Sequence, residues 1–273
     1  MKIFRAVIAA TLLCIASTAI TPAQSESNAR RVTVPLSNPG GPVTLEASLL
    51  SGGIRVEGHD ADQVIVEMAT DDVEDEDSRT EGMRRIPNTS LGLTVEMEDN
   101  VVTVRGQWNS NINSILIKVP RRTSMQVSCV NDGDISVKGV EGALELQNTN
   151  GGISALNIQG EVVAHTTNGD VTVTFDKIVP GKAMSFVTFN GDVDVTFPAG
   201  FKADIRVSTG NGEIYTDFDF EVKPQKPAVE AQREGGRYHV QLDQDVKASI
   251  GGGGPEMHFK TWNGDVYIRK GGS

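Results

Sequence analysis

Cysteine is nearly missing from this 273-residue chain, which carries only Cys14 and Cys129. Cys14 lies in a segment expected to be removed, and one remaining cysteine cannot close an intrachain disulfide. The fold must therefore stand on burial and hydrogen bonding. Basic residues are the minority, 25 Lys and Arg against 36 Asp and Glu. That balance excludes nucleic acid as an expected partner, because phosphate binding needs a basic face. Long apolar runs are absent beyond residues 6–16, which are too few to span a bilayer. Catalytic signatures are missing too. There is no G-x-S-x-G, Gly181-Lys182 lacks the other residues of a phosphate loop, and no G-x-G-x-x-G opens a helix. His59, His165, His239 and His258 lack H-x-x-x-H spacing, and the calcium nonapeptide G-G-x-G-x-D does not occur.

What is present begins with an export signal. Lys2 and Arg5 precede the apolar run, and small and polar residues follow through Ser25, the three-part pattern of a secretory signal peptide. Residues 1–25 are expected to be removed, with cleavage after Ala19, Ala23 or Ser25. Leu12 and Leu13 stand before Cys14 where a lipoprotein signal would carry small residues, so Cys14 reads as an ordinary apolar position. Removal takes away Lys2 and Arg5 and no acid, moving the net charge from −11 to −13. The expected location is periplasmic, extracellular or surface-associated, with no transmembrane segment in the mature chain.

A short pattern then recurs: Asn-Gly-acid, a β-branched residue, a variable residue and a second apolar residue. It appears at Asp132-Gly133-Asp134-Ile135, Asn150-Gly151-Gly152-Ile153, Asn168-Gly169-Asp170-Val171, Asn190-Gly191-Asp192-Val193, Asn211-Gly212-Glu213-Ile214 and Asn263-Gly264-Asp265-Val266, with a degenerate copy at Ser51-Gly52-Gly53-Ile54. The turn glycines from Gly133 onward are spaced 18, 18, 22, 21 and 52 residues apart. Periods near 20 signal supersecondary units that bury their apolar faces only by stacking. Alternation such as Val171, Thr172, Val173 is the period of a half-buried strand.

Two all-β architectures fit. Asn-Gly between alternating strands is a hairpin signal, giving an antiparallel meander or sandwich. The other is a β-solenoid, or β-helix-like array of short strands, in which like residues form columns and Asn150, Asn168, Asn190 and Asn211 hydrogen-bond as a ladder. The sameness of matching positions favours the solenoid, because a column rewards identity. The expected division is a signal peptide at 1–25, a less regular β cap at 26–125, and the repeat array at 126–273 with an insertion at about 217–237. The acidic run from Asp71 to Asp77 reads as a solvated loop.

The NGDV-type repeats, the Gly52-Gly53-Ile54-Arg55-Val56-Glu57-Gly58 opening and the Ile115–Arg122 stretch ILIKVPRR resemble a bacterial family of domains of unknown function called "putative adhesin". The resemblance covers roughly residues 45–270. It implies a solenoid-like envelope protein with no established catalytic residues.

Two sets of side chains are open to a functional reading. Asp134, Asp170, Asp192, Glu213 and Asp265 would form an acidic column, a candidate calcium site if several oxygens converge. The alternative is that each carboxylate serves the backbone of its own turn. Tyr215, Trp262 and Tyr267 stand at or beside turns, where a flat ring can stack on a sugar or peptide, or pack on a cross-strand neighbour. No other cofactor is expected. The expected function is a non-enzymatic envelope protein that binds a glycan, a protein or a second copy of itself. The alternatives are self-assembly through open strand edges and a glycan-cleaving β-helix using Asp192, Asp194 and Arg206.

Overall fold

The computed structural model describes residues 30–69, 92–107, 112–223, 229–234, 237–242 and 245–272. The Asp71–Asp77 run and the signal segment lie outside them. Every regular element among the described residues is a β-strand, and the repeat is a solenoid. Each coil is one strand, a turn and a second strand, and the two strands belong to opposite faces of a flattened core.

The first face stacks β2 (Val43–Ser51), β8 (Thr123–Asn131), β10 (Glu141–Asn148), the second half of β11 (Ile153–His165), β13 (Met184–Val187), β21 (Glu256–Asn263) and β15 (Ala203–Asn211), all parallel. The second face stacks β3 (Gly53–His59), β9 (Ile135–Lys138), the first half of β11, β12 (Val171–Ile178), β14 (Val193–Phe197), β22 (Val266–Lys270) and β16 (Ile214–Thr216), also parallel. Parallel pairing, in register through the turns and shifted only within β11–β12 after Ala155 among the pairs that build the two faces up to β22, overrides the hairpin alternative: like residues pair with like, as in Val171↔Val193 and Val193↔Val266. Residues 43–59 form a full coil on β8 and β9, so the stacked columns extend into the segment expected to be a cap.

Further strands, antiparallel in their outer pairings, take up strand edges on both faces at one end and on the first face alone at the other, where among the described residues β16 pairs only with β22. At one end β5 (Leu93–Glu98) pairs with β6 (Val101–Gly106) beside β2. On the other face β7 (Ser114–Pro120) lies beside β3, followed by β4 (Gln63–Ala69) and β1 (Arg30–Pro35). At the far end β20 (Val246–Ile250) runs antiparallel to β15, and β17 (Phe220–Val222) to β20, while β18 (Val229–Glu234) and β19 (Arg237–Leu242) form a separate antiparallel pair.

Sequence order and stacking order part company twice: β2–β3 lies between β6–β7 and β8–β9 although β6–β7 follows it in the chain, and the second departure is at the other end. The final coil, β21–β22, occupies the slot between β13–β14 and β15–β16. The Asn ladder therefore runs Asn131, Asn150, Asn168, Asn190, Asn263, Asn211, with side-chain amide bonds of 3.0, 2.7, 2.8, 2.7 and 2.9 Å. Asn263 interposes where the sequence suggested Asn190 and Asn211 would meet.

The core is aliphatic in the early coils, with Ile54, Ile135, Ile153 and Leu146 all essentially inaccessible. In the later coils it turns aromatic. Phe197 is fully buried and contacts Phe175, Phe186, Phe201 and Phe259 at centroid distances of 5.3, 6.3, 4.0 and 6.1 Å.

Candidate functional site

Three hydrogen-bonded columns build the turn ridge, each from one residue of the repeat. The Asn amides form the first. The second was not anticipated from sequence: a donor two residues before each turn Asn reaches the glycine carbonyl of the coil beneath. Thr166, Thr188, Thr261 and Thr209 Oγ1 donate to Gly151, Gly169, Gly191 and Gly264 at 2.9, 2.8, 2.8 and 2.9 Å. Asn148 Nδ2 and Cys129 Sγ take the same place, donating to Gly133 and Gly52 at 2.9 and 3.0 Å. The signal was legible as T-x-N-G-acid in four copies.

Cys129 is thus a column donor, and burial pushes its thiol above the ordinary range, which suppresses thiolate chemistry. Cys129→Thr is expected to keep stability within about 1 kcal/mol of wild type. Cys129→Val keeps the shape, removes the donor and should cost about 1 kcal/mol more. Paired thermal melts check this, and equal melting of the two variants would remove the hydrogen bond from the account.

The acids form the third column. Asp134, Asp170, Asp192 and Asp265 each accept, through Oδ1, the backbone N–H of Gly152, Asp192, Asp265 and Glu213 at 2.7, 2.8, 2.8 and 2.8 Å. The donor belongs to the neighbouring coil, not to the acid's own turn, because parallel stacking sets the next N–H directly over the carboxylate. Gly152 interrupts the column between Asp134 and Asp170. One oxygen of each aspartate is thereby spent on coil-to-coil cohesion, and among the described residues no three His, Cys, Asp or Glu side chains converge as a metal set.

The acids and the arginine of the glycan-cleaving alternative are not brought together. Asp194 lies on β14 and pairs with Arg269 at 2.8 Å. Arg206 lies on the opposite face, on β15, and pairs with Asp245.

The aromatic candidates converge in the last coils. Tyr267 and Tyr215 are cross-strand neighbours whose rings stack at 5.1 Å and 10°, with Tyr215 49% exposed. The Tyr267 hydroxyl donates to Asp265 Oδ2 at 3.0 Å, which raises the phenol above its ordinary pKa. The Arg269 guanidinium sits 4.9 Å over the same ring, a cation–π arrangement. Across the ridge, Trp262 stacks on Phe189 at 6.1 Å and 2°, and the two are 52% and 50% exposed. Phe189 was missed from sequence, although it precedes Asn190 just as Trp262 precedes Asn263.

Outward positions of the second face line up in register as Arg55, Ser136, Ser154, Thr172, Asp194, Tyr267 and Tyr215. Six strand steps of about 4.8 Å make a track of about 29 Å along the stacking axis. Its first part is a cleft of about 740 Å³ lined by Arg55, Asp134, Ser136, Ser154, Asp170 and Thr172 among others. Small side chains at 136, 154 and 172 and the missing carboxylates at Gly53 and Gly152 make this stretch concave.

Three solved structures resemble the chain. A "putative cell adhesion protein" from Clostridium sporogenes is 11% identical over 89% of this chain and 99% of its own, with a TM-score of 0.43. A "putative adhesin" from Bacteroides fragilis is 10% identical over 89% and 96%, at 0.39. A "putative lipid binding protein" from Parabacteroides distasonis is 14% identical over 90% and 98%, at 0.35. No curated protein matches significantly. The profile of the Toastrack DUF4097 family, a domain of unknown function, matches residues 24–247, nearly the whole stacked array. The chain belongs to the Toastrack DUF4097 family.

Proposed function

We propose that the mature chain is an exported, non-enzymatic envelope protein that binds a linear glycan along the Arg55–Tyr215 track. The observation that carries this reading is the column itself: three small hydroxyl residues in register, leading to a stacked and exposed tyrosine pair. Among the described residues the hydroxyls of Ser136, Ser154 and Thr172 are not spent on protein groups, so they are free to exchange hydrogen bonds with sugar hydroxyls. Tyr215 offers a flat apolar face, and the Arg269–Asp194 pair offers polar groups at its rim. Sites of this composition fix orientation with a few polar atoms and gain contact area from rings. The ridge itself contributes rigidity, since most of its polar atoms are committed to the columns.

The test is affinity electrophoresis of the mature protein through gels containing individual envelope polysaccharides, with Tyr215→Ala/Tyr267→Ala and Ser154→Arg beside wild type. Loss of one ring platform is expected to weaken retention about tenfold or more, and Ser154→Arg, which fills the track, should do the same. Unaltered retention of both variants on a polysaccharide that holds wild type, or failure of every polysaccharide to hold wild type, would reject the reading. Trp262→Ala reports on the opposite side of the ridge and should retain binding.

A further inference from the structure

We infer that Asn211-Gly212 is a built-in deamidation site, and that the fold shields the other four Asn-Gly pairs of the repeat. All five share the sequence that deamidates most readily, because glycine offers an unhindered backbone nitrogen to the preceding side chain. In the reaction the Gly N–H loses its proton and the nitrogen attacks Asn Cγ. The Cγ–Nδ2 bond breaks, ammonia leaves with the proton, and a succinimide forms. Water then opens one imide C–N bond or the other, giving aspartate or isoaspartate. The attack needs a nitrogen free of hydrogen bonding and an amide free to rotate.

The stacked coils deny both conditions to four pairs. The N–H groups of Gly151, Gly169, Gly191 and Gly264 donate to the carbonyl oxygens of Asn168, Asn190, Asn263 and Asn211 at 2.8, 2.8, 2.9 and 3.0 Å. The amides of Asn150, Asn168, Asn190 and Asn263 are each held at both ends, Nδ2 donating down the ladder and Oδ1 accepting from above. Position in the stack, not in the sequence, decides the exception. Because β21–β22 fills the inner slot, the turn at residues 211–213 is the last in the column. Asn211 Nδ2 still donates to Asn263 at 2.9 Å, but among the described residues no coil lies beyond it. Among the described residues nothing donates to its Oδ1, nothing accepts the Gly212 N–H, and both residues are exposed.

Conversion would replace the top amide of the ladder with a carboxylate beside Glu213. It would also cut the Asn211–Asn263 bond, which joins the terminal coil to the coil carrying Phe259, next to the Tyr215–Tyr267 pair. The isoaspartate product adds a methylene to the main chain at the terminal turn, so that turn would loosen while the interior ladder stayed intact.

The experiment is peptide mapping by mass spectrometry with electron-transfer fragmentation, on the full mature protein aged at neutral pH and 37 °C. A parallel sample is aged in denaturant. In the folded protein, conversion at Asn211 should run about tenfold or more ahead of Asn150, Asn168, Asn190 and Asn263, since interior attack first requires breaking hydrogen bonds. In denaturant the five rates should approach one another. Equal rates in the folded protein, or an interior site ahead of Asn211, would overturn the inference. A lead for Asn211 that persists unchanged in denaturant would do so as well, because local sequence rather than the stack would then set the rate.

Discussion

Gly191→Ala should destabilise the protein by about 4 kcal/mol, with Gly200→Ala as a near-neutral control. Gly191 has φ of 145°, a conformation that L side chains rarely adopt and that costs on the order of 1–3 kcal/mol when forced. Its added Cβ would stand 2.3 Å from the Gly169 carbonyl oxygen and 2.7 Å from Asp170 Oδ1. Neither contact can be relieved by rotating a long side chain, so the two turns must part. Parting them lengthens the Thr188–Gly169 and Asn190–Asn168 hydrogen bonds and the Asp192 N–H bond to Asp170. Gly200 has open space where a Cβ would go, and alanine there should stay within about 0.5 kcal/mol. Denaturant melts of the two variants decide the matter. A loss at Gly191 no larger than at Gly200 would mean that the columns tolerate separation and are not what holds the coils together.

Phe197→Ala is expected to cost about 4 kcal/mol, the range for emptying a buried aromatic site. Phe197 is fully buried and is shared by four rings drawn from both faces. Phe175, Phe186 and Phe259 stand on parallel strands with fixed spacing, so they cannot collapse into the space without disturbing the register; Phe201 lies in the connection before β15. The damage should also be local. Coils contact only their neighbours, and stability in such arrays sums over nearest-neighbour interfaces. Hydrogen exchange should accelerate in β12 to β16 and in β21 and β22, while β2, β3, β8 and β9 keep their protection. Uniform acceleration along the whole array would contradict nearest-neighbour coupling.

Much of this architecture was legible before any coordinates. Alternation at Val171–Val173 and Val193–Val195 set which side chains face inward. The Asn-Gly-acid turns set the coil length, and the identity of matching positions pointed to stacking rather than hairpins. Glycine was expected for its backbone freedom; the structure adds that its missing Cβ lets successive turns approach. The acids were read as a possible cation column or as caps of their own turns. Through Oδ1 the aspartates bridge adjacent coils rather than capping their own turns, a relation that no single repeat contains. Phe189 and the Thr166, Thr188, Thr209 and Thr261 column are present in the pattern, but the partners of Thr166 and Thr188 lie about one coil away and those of Thr209, Thr261 and Phe189 lie across the long excursion of the chain.

By itself the sequence determined the β-coil, the turn chemistry, the inward and outward faces and the shortage of catalytic motifs, because all of these follow from local periodicity and residue type. The order of the coils was decided only by the tertiary structure. Repeats this alike accept one another as neighbours in any order, so local rules cannot say that Asn263 belongs between Asn190 and Asn211. That choice follows from the whole packing. It pairs Tyr267 with Tyr215, gathers the phenylalanines around Phe197, and leaves Asn211 alone at the exposed end of the ladder.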